Sequence, residues 1–301
     1  MKKSITNYEL RITIIRFLSA FLRVHSRLIF PLFLFCAVVS AQPKIAVLIP
    51  DKTSQSRVFA EKLESSLSSN AKILDASLSE TAFRARAFEN PFNLTVNEAK
   101  NVGAAIGCDY FLLVRAENLR RVSLSKGEFY ESYAAIFTVD SRTGKLVFWN
   151  LNSFESEKAE EADKKLFDSA TDSAREISGK LKIANQSASN EKQATVFEKL
   201  PDEDSPEARD FRSPLPYKRL RPEYTSLANL YRVEATVDAE IDLDENGKII
   251  KIEIVRWAGF GLDESVAENI GKMNWRPAER SGKALPIRVL LRYNFKKIET
   301  E

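Results

Sequence analysis

The chain has 301 residues, with 45 Lys and Arg against 42 Asp and Glu and a single histidine, for a formal net charge of +3. Six of those cations and one acid, Glu9, fall in residues 1–41, a local net of +5, so the rest of the chain carries about −2. That remainder keeps no histidine and one cysteine, Cys108. It offers no case for nucleic-acid binding and excludes a Ser-His-Asp or Cys-His site, a His/Cys zinc site and an intramolecular disulfide.

Residues 1–41 read as a signal peptide or membrane anchor. Lys2, Lys3, Arg11, Arg16, Arg23 and Arg27 form a basic lead, and Leu28 to Ala41 is an apolar run of 14 residues containing Pro31. Val39-Ser40-Ala41 places small residues where a signal peptidase cuts, so cleavage before Gln42 is one reading. A spanning helix needs about 20 apolar residues, and this run is shorter; an uncleaved anchor is the other reading. Either way the basic flank holds the N-terminus in the cytoplasm. Cys36 lacks the small-residue context of a lipoprotein signal.

Residues 43–182 have a rhythm of their own. Lys44 to Ile49 is a continuous apolar run that suits a strand covered on both faces. Ser54 to Ser69 reads as a helix with Val58, Leu63 and Leu67 inward, and Ile73-Leu74 as a short strand. Leu78 to Leu94 has no clear period, with a turn at Asn90-Pro91. Thr95 and Glu98 form a capping box for a helix ending at Gly107. Cys108 to Val114 reads as a buried strand, and Cys108 as a structural thiol. Tyr130 to Val139 and Lys145 to Leu151 predict a hairpin, with Asp140 to Gly144 as a solvated tip. Ser156 to Leu181 predicts one charged helix burying Leu166, Ala170, Ala174, Ile177 and Leu181. Walker and dinucleotide patterns are absent.

Residues 183–213 lose periodicity and carry Pro201, Pro206 and the acidic run Asp202-Glu203-Asp204, which predicts a flexible linker. Such a stretch spans at most roughly 100 Å when fully extended.

From Tyr231 to Leu243 apolar and polar residues alternate, the period of a strand with one buried face. Asp244-Glu245-Asn246-Gly247 supplies turn residues. A second strand sets Ile250, Ile252 and Ile254 against Lys251 and Glu253. Leu262, Val266, Ile270 and Met273 recur at helical spacing, with Asp263 and Glu264 at the helix start. A last strand places Ile287, Val289, Leu291, Tyr293 and Phe295 on one face. The fold class is α+β: an N-terminal mixed α/β sheet domain, then a small C-terminal β-β-α-β domain over residues 214–298.

The ordered set Pro214-Leu215-Pro216, Pro222, Ala228, Val237 to Gly247, Gly261-Leu262-Asp263, Trp275-Arg276-Pro277-Ala278, Gly282 and Tyr293-Asn294-Phe295 resembles the C-terminal domain of TonB-type energy transducers. Glu234-Ala235 stands where that family often has a glycine. Ile45 to Leu48, Gly107 to Tyr110 and Asp140 to Lys145 resemble the N-terminal domains of TolB-like, CsgG-like and LpoB-like envelope proteins.

The TonB resemblance implies a periplasmic interaction module without enzymatic activity or cofactor. Its partner would be an outer-membrane receptor segment or another periplasmic protein, and its use energy-dependent transport. An alternative is a scaffold of an envelope assembly without transduction. The docking edge carried over from the family is the last strand, with Ile287, Arg288, Val289, Leu290, Leu291 and Arg292 as site residues, reached by β-strand addition. Transducers of this family couple to a motor through a Ser and a His; Ser19 and His25 are spaced six apart and do not share a helical face. A carboxylate hydrolase is the competing class, but Asp238 and Asp242 fall on the wet face of a regular strand.

Overall fold

The structure, a computed structural model, describes residues 42–188, 197–202 and 204–296. Residues 1–41, read as a signal or anchor, with Ser19, His25 and Cys36, and residues 189–196 of the predicted linker lie outside the described residues. Among those described, no helix is long and apolar enough to cross a membrane. The architecture is α+β, with residues from 42 onward in one compact unit.

The first sheet has the order β2-β1-β3-β4-β5. β1 (Lys44–Leu48) pairs in parallel with β2 (Lys72–Ile73) and with β3 (Tyr110–Ser123). β3, β4 (Gly127–Asp140) and β5 (Leu146–Ser156) form an antiparallel meander. β1 and the first five residues of β3 are continuous apolar runs, as burial on both faces requires, whereas β2 is a two-residue edge.

One face of this sheet packs α1 (Ser54–Leu67), α4 (Ala159–Asp168) and α5 (Ala170–Ala188) through Phe59, Leu63, Leu166, Ala174 and Ile177. The other face packs α2 (Ala76–Arg84), α3 (Val96–Ile106) and the C-terminal part of the chain. The capping box of α3 is formed, and Gly107 ends it in the left-handed region at φ 76°.

Several expectations change. Val58 is exposed; Ser56, Phe59, Ala60, Leu63 and Leu67 make the inward stripe of α1, a different phase of the same period. β3 extends to Ser123, because its charged outer residues find partners along all fourteen residues of β4. The single helix from Ser156 is two helices broken at Ser169, and the five residues named for its inner face are buried. Asn152 donates to Ser173 Oγ at 2.6 Å and Ser169 Oγ at 3.2 Å beside that break. The Asp140 to Gly144 tip is not fully solvated: Ser141 is buried and bonded to the Cys108 thiol across 3.2 Å.

The second sheet has the order β10-β9-β14-β6. β9 (Ala235–Leu243) and β10 (Ile249–Arg256) form the predicted hairpin, and β14 (Ile287–Phe295) pairs antiparallel along the whole of β9. Asp244 Oδ1 accepts from the N–H groups of Asn246 and Lys248, which closes the turn. α7 (Leu262–Gly271) buries Leu262, Val266 and Ile270 against the hairpin. Ile250 is exposed, contrary to its alternation, because a register shift between Ile249 and Lys251 breaks the period.

The stretch predicted as flexible is held at two points. β6 (Glu198–Lys199) pairs in parallel with the start of β14, and β7 (Phe211–Arg212) pairs with β12 (Ala278–Arg280). Nearby, β8 (Leu215–Pro216) pairs with β11 (Trp275–Arg276), and β12 turns back on β13 (Lys283–Leu285).

The two sheets share a core. Trp257 and Phe260, in the loop after β10, pack on Phe137 of β4 with ring centroids 5.7 and 6.3 Å apart, and Phe260 lies 4.9 Å from Trp149 of β5. Around this cluster the side chain of Asn93 acts as a strand residue. Its Nδ2 donates to the carbonyls of Thr236 at 2.8 Å and Trp257 at 2.7 Å, and its Oδ1 accepts from Thr236 N–H at 2.8 Å. Tyr231, just past the short α6 (Ser226–Leu230), donates to Glu131 at 2.5 Å, and Arg121 also bonds Glu131 at 2.8 Å. Burial acts to raise Glu131, but bonds from Ser153, Tyr231 and Arg121 hold it below the ordinary carboxylate range.

Candidate partner-docking site

The backbone of β14 has two sides, and the ladder with β9 decides which groups face out. Thr236 turns its N–H and C=O toward Asn93, away from β14. Its register partner Asn294 therefore turns its own main-chain groups away from β9, and so, by alternation, do Arg292, Leu290 and Arg288. At Arg288 this outer side is covered, because Ile287 and Arg288 stand opposite Glu198 and Lys199 of β6. Pro201 follows two residues later and has no N–H to continue a ladder. Among the described residues, the outer side of β14 is unpaired from Val289 to Phe295.

The six expected site residues divide between two faces. Ile287 and Val289 are buried in the core and Leu291 packs against it. Leu290 is 52% exposed on the polar face, flanked by Arg288 and Arg292. Both arginines hold carboxylates of β9 with two bonds each: Arg288 to Asp242 at 2.6 and 2.9 Å, Arg292 to Asp238 at 2.7 and 2.9 Å. Asp238 and Asp242 are thus not wet. They are 2% and 3% exposed beneath the guanidinium groups. Burial acts to raise Asp238, but bonds from Arg292 and Arg256 outweigh it and its carboxyl sits below its ordinary value. Planar bidentate pairing of this kind occupies both oxygens of each carboxylate.

This polar face is the floor of a trough of about 1110 Å³. On the β10 side its wall is the start of α3 and the β4–β5 turn, with Lys100, Arg142 and Lys145; on the β14 side it is Phe197 and Lys199. Glu253 on the floor is pulled down to about 2: burial acts to raise it, and bonds from Lys145 and Lys251 win.

Residues 221–296 match the family model for the Gram-negative bacterial TonB protein C-terminal. No curated protein matches the chain in sequence. Among solved structures, the TonB C-terminal domain of Pseudomonas aeruginosa is 20% identical, covering 36% of this chain and 99% of that one with a TM-score of 0.26. Lipoprotein GNA1162 of Neisseria meningitidis is 16% identical, covering 49% of this chain and 99% of that one with a TM-score of 0.32. The LpoB C-terminal domain of Salmonella enterica is 13% identical, covering 38% and 84% with a TM-score of 0.26.

The TonB-type segment contains β9, β10, α7 and β14, and its ordered motifs meet within it. Trp275 and Ala278 are buried, and Gly247, at φ 76°, lies where a Cβ would run into the main chain of Trp275 and Pro277. Three features of the site escaped the sequence. Nothing in Glu198-Lys199 signals a strand. Asn93 and the trough cations Lys100 and Arg142 lie outside the segment and reach it only through the fold. The one available signal was the apolar loop Trp257 to Phe260, too rich in aromatic residues for a solvent-facing connection.

Proposed function

We propose that this chain is a periplasmic protein-interaction module of the TonB type, which grips an extended segment of a partner protein by adding it as a strand beside β14. The observation that carries this reading is the row of outward main-chain groups at Leu290, Arg292 and Asn294. An unpaired edge is a template for another chain, and a peptide completing it gains main-chain bonds while alternate side chains give selectivity. The basic, apolar N-terminal segment supports export, and the family description supports a Gram-negative envelope. The ion-paired state of Asp238 and Asp242 favours contact over catalysis.

Energy-dependent transport across the outer membrane is the finer form of this reading. The second form is a scaffold without transduction, and the shared core favours it. Trp257 and Phe260 tie the TonB-type segment to the first sheet, so that segment is not the free end of a long tether.

The test is photo-crosslinking in cells from a benzophenone residue at position 290, paired with the substitution Leu290→Pro. Proline there removes an outward donor and leaves the β9 ladder intact. The expected result is a discrete adduct with an envelope protein, with the partner no longer recovered alongside a folded Leu290→Pro chain. An adduct at another surface, or partner recovery unchanged by the proline, overturns strand addition. A proton uncoupler added before irradiation separates the two forms: transduction predicts a changed adduct yield, a scaffold an unchanged one.

A further inference from the structure

We propose that the trough beside β14 seats an acidic segment of the partner protein, read by Lys100, Arg142 and Lys199. This rests on β14 being the docking edge and names the chemistry of what docks there.

The four carboxylates of the trough floor are already matched. Asp238 pairs with Arg292 and Arg256, Asp242 and Glu240 with Arg288, and Glu253 with Lys145 and Lys251. The rim differs. Lys100 on α3, Arg142 in the β4–β5 turn and Lys199 on β6 are exposed and have no ion-pair partner among the described residues. They come from three separate segments and converge on one concavity. The residues lining the trough therefore carry three more positive charges than negative ones, Arg256 lying outside the lining.

A strand added outside β14 would alternate its side chains. One set would lie at the β14 side of the trough beside Leu290, Arg292 and Asn294, nearest to Lys199, with Lys100 and Arg142 facing it across the floor. The other would lie beside Leu291 and Tyr293, at the border of the core. Opposite charges in neighbouring strands attract and like charges repel, so the trough set should be acidic and the other apolar. A basic segment would meet like charge. A polysaccharide or nucleic acid would satisfy the cations but cannot complete a main-chain ladder. The volume, about 1110 Å³, exceeds the upper range of small-molecule pockets, about 1,000 Å³, and suits a length of chain.

The test uses fluorescence anisotropy with the full chain in mild detergent and three labelled peptides: alternating Glu-Val, alternating Lys-Val, and Glu-Val with its amide nitrogens methylated. The variants are Lys100→Gln/Arg142→Gln/Lys199→Gln and its charge-reversed counterpart with Glu at all three positions; the sites are exposed, and circular dichroism checks the fold. Glu-Val should bind and Lys-Val should not. The triple glutamine variant should weaken Glu-Val about tenfold, the triple glutamate variant should weaken it more, and added salt should mimic both. Equal binding of the two unmethylated peptides, or of Glu-Val to parent and variants, overturns the proposal. If Glu-Val ignores the variants yet is lost on methylation, strand addition stands and the acidic reading falls. If methylated and plain Glu-Val bind alike and both need the rim cations, the acidic reading stands and strand addition falls. Tighter, rim-dependent binding of dextran sulfate than of Glu-Val identifies a general polyanion surface and overturns the protein occupant.

Discussion

Replacing Asn93 by alanine should loosen the junction between the two sheets more than any other single polar change there. The residue is 5% exposed and its carboxamide makes three bonds to main-chain groups of the TonB-type segment, all between 2.7 and 2.8 Å. A typical intramolecular bond contributes about 1 kcal/mol net, and a buried group left without a partner costs about 1–3 kcal/mol. Asn93→Ala leaves three such groups, Thr236 N–H and the carbonyls of Thr236 and Trp257, so the expected loss is about 3 kcal/mol. Urea unfolding reads it, with circular dichroism for the whole chain and tryptophan emission for Trp149 and Trp257 at the junction. The parent should show one midpoint by both probes, and the variant a lower one with the same slope. Asn93→Asp is the control, because it keeps an acceptor for Thr236 N–H but sets a carboxylate against two carbonyl oxygens. At neutral pH it should be no more stable than the alanine variant. A loss below about 0.5 kcal/mol, the range of an ordinary surface change, or an aspartate variant as stable as the parent, would refute the reasoning.

Three other changes test other parts of the fold. Gly259 has φ 69°, and a Cβ there would lie 2.6 Å from Trp149 Nε1 and 2.9 Å from Phe137; Gly259→Ala should cost about 2–4 kcal/mol in urea unfolding, and a neutral effect would mean the aromatic cluster is loose. Asp263 accepts from Ala258 and Gly259 N–H, and burial pushes its carboxyl up to about 7. An acid raised on folding contributes stability that is full below its unfolded value near 4 and is lost as pH rises through 7. Asp263→Asn should flatten the decline between those pH values, measured by thermal melts, and an unchanged slope would dismiss the assignment. Glu253 is shifted the opposite way, to about 2, so its contribution holds above its ordinary value and is lost as pH falls toward 2. Lys145→Met should weaken that acid limb, and melts across the acid range should show it.

What the sequence made legible is what neighbouring residues decide. The alternation from Ala235 to Leu243, the Asp244 to Gly247 turn and the capping box at Thr95 are local devices in place, whereas Tyr231 to Glu234, read as the start of that strand, instead close α6 and turn. Ile250 is missed because one residue of register shift is invisible to a period of two. Residues 115–123 are missed as strand because charge and apolar character mix there, and only pairing with β4 resolves them. Asp238 and Asp242 read as wet because polar positions usually are; the arginines that cover them come from β14, far along the chain. β14 itself was legible as a strand, but its covered end was not. Two residues of β6 carry no pattern, and their pairing follows from where the fold delivers the chain.

The shared core also fixes where tension would run. A strand seated on β14 and drawn outward would load the β14–β9 ladder in shear along nine residues, a direction in which many main-chain bonds resist at once. From β9 the load has a short route through Thr236 to Asn93, and from the β10 end through Trp257 into β4. Glu198–Lys199 and Phe211–Arg212, the paired parts of the predicted linker, lie off that route. Pulling would reach the first sheet through side chains of the shared core, so the load need not follow the chain's own order from one sheet to the other.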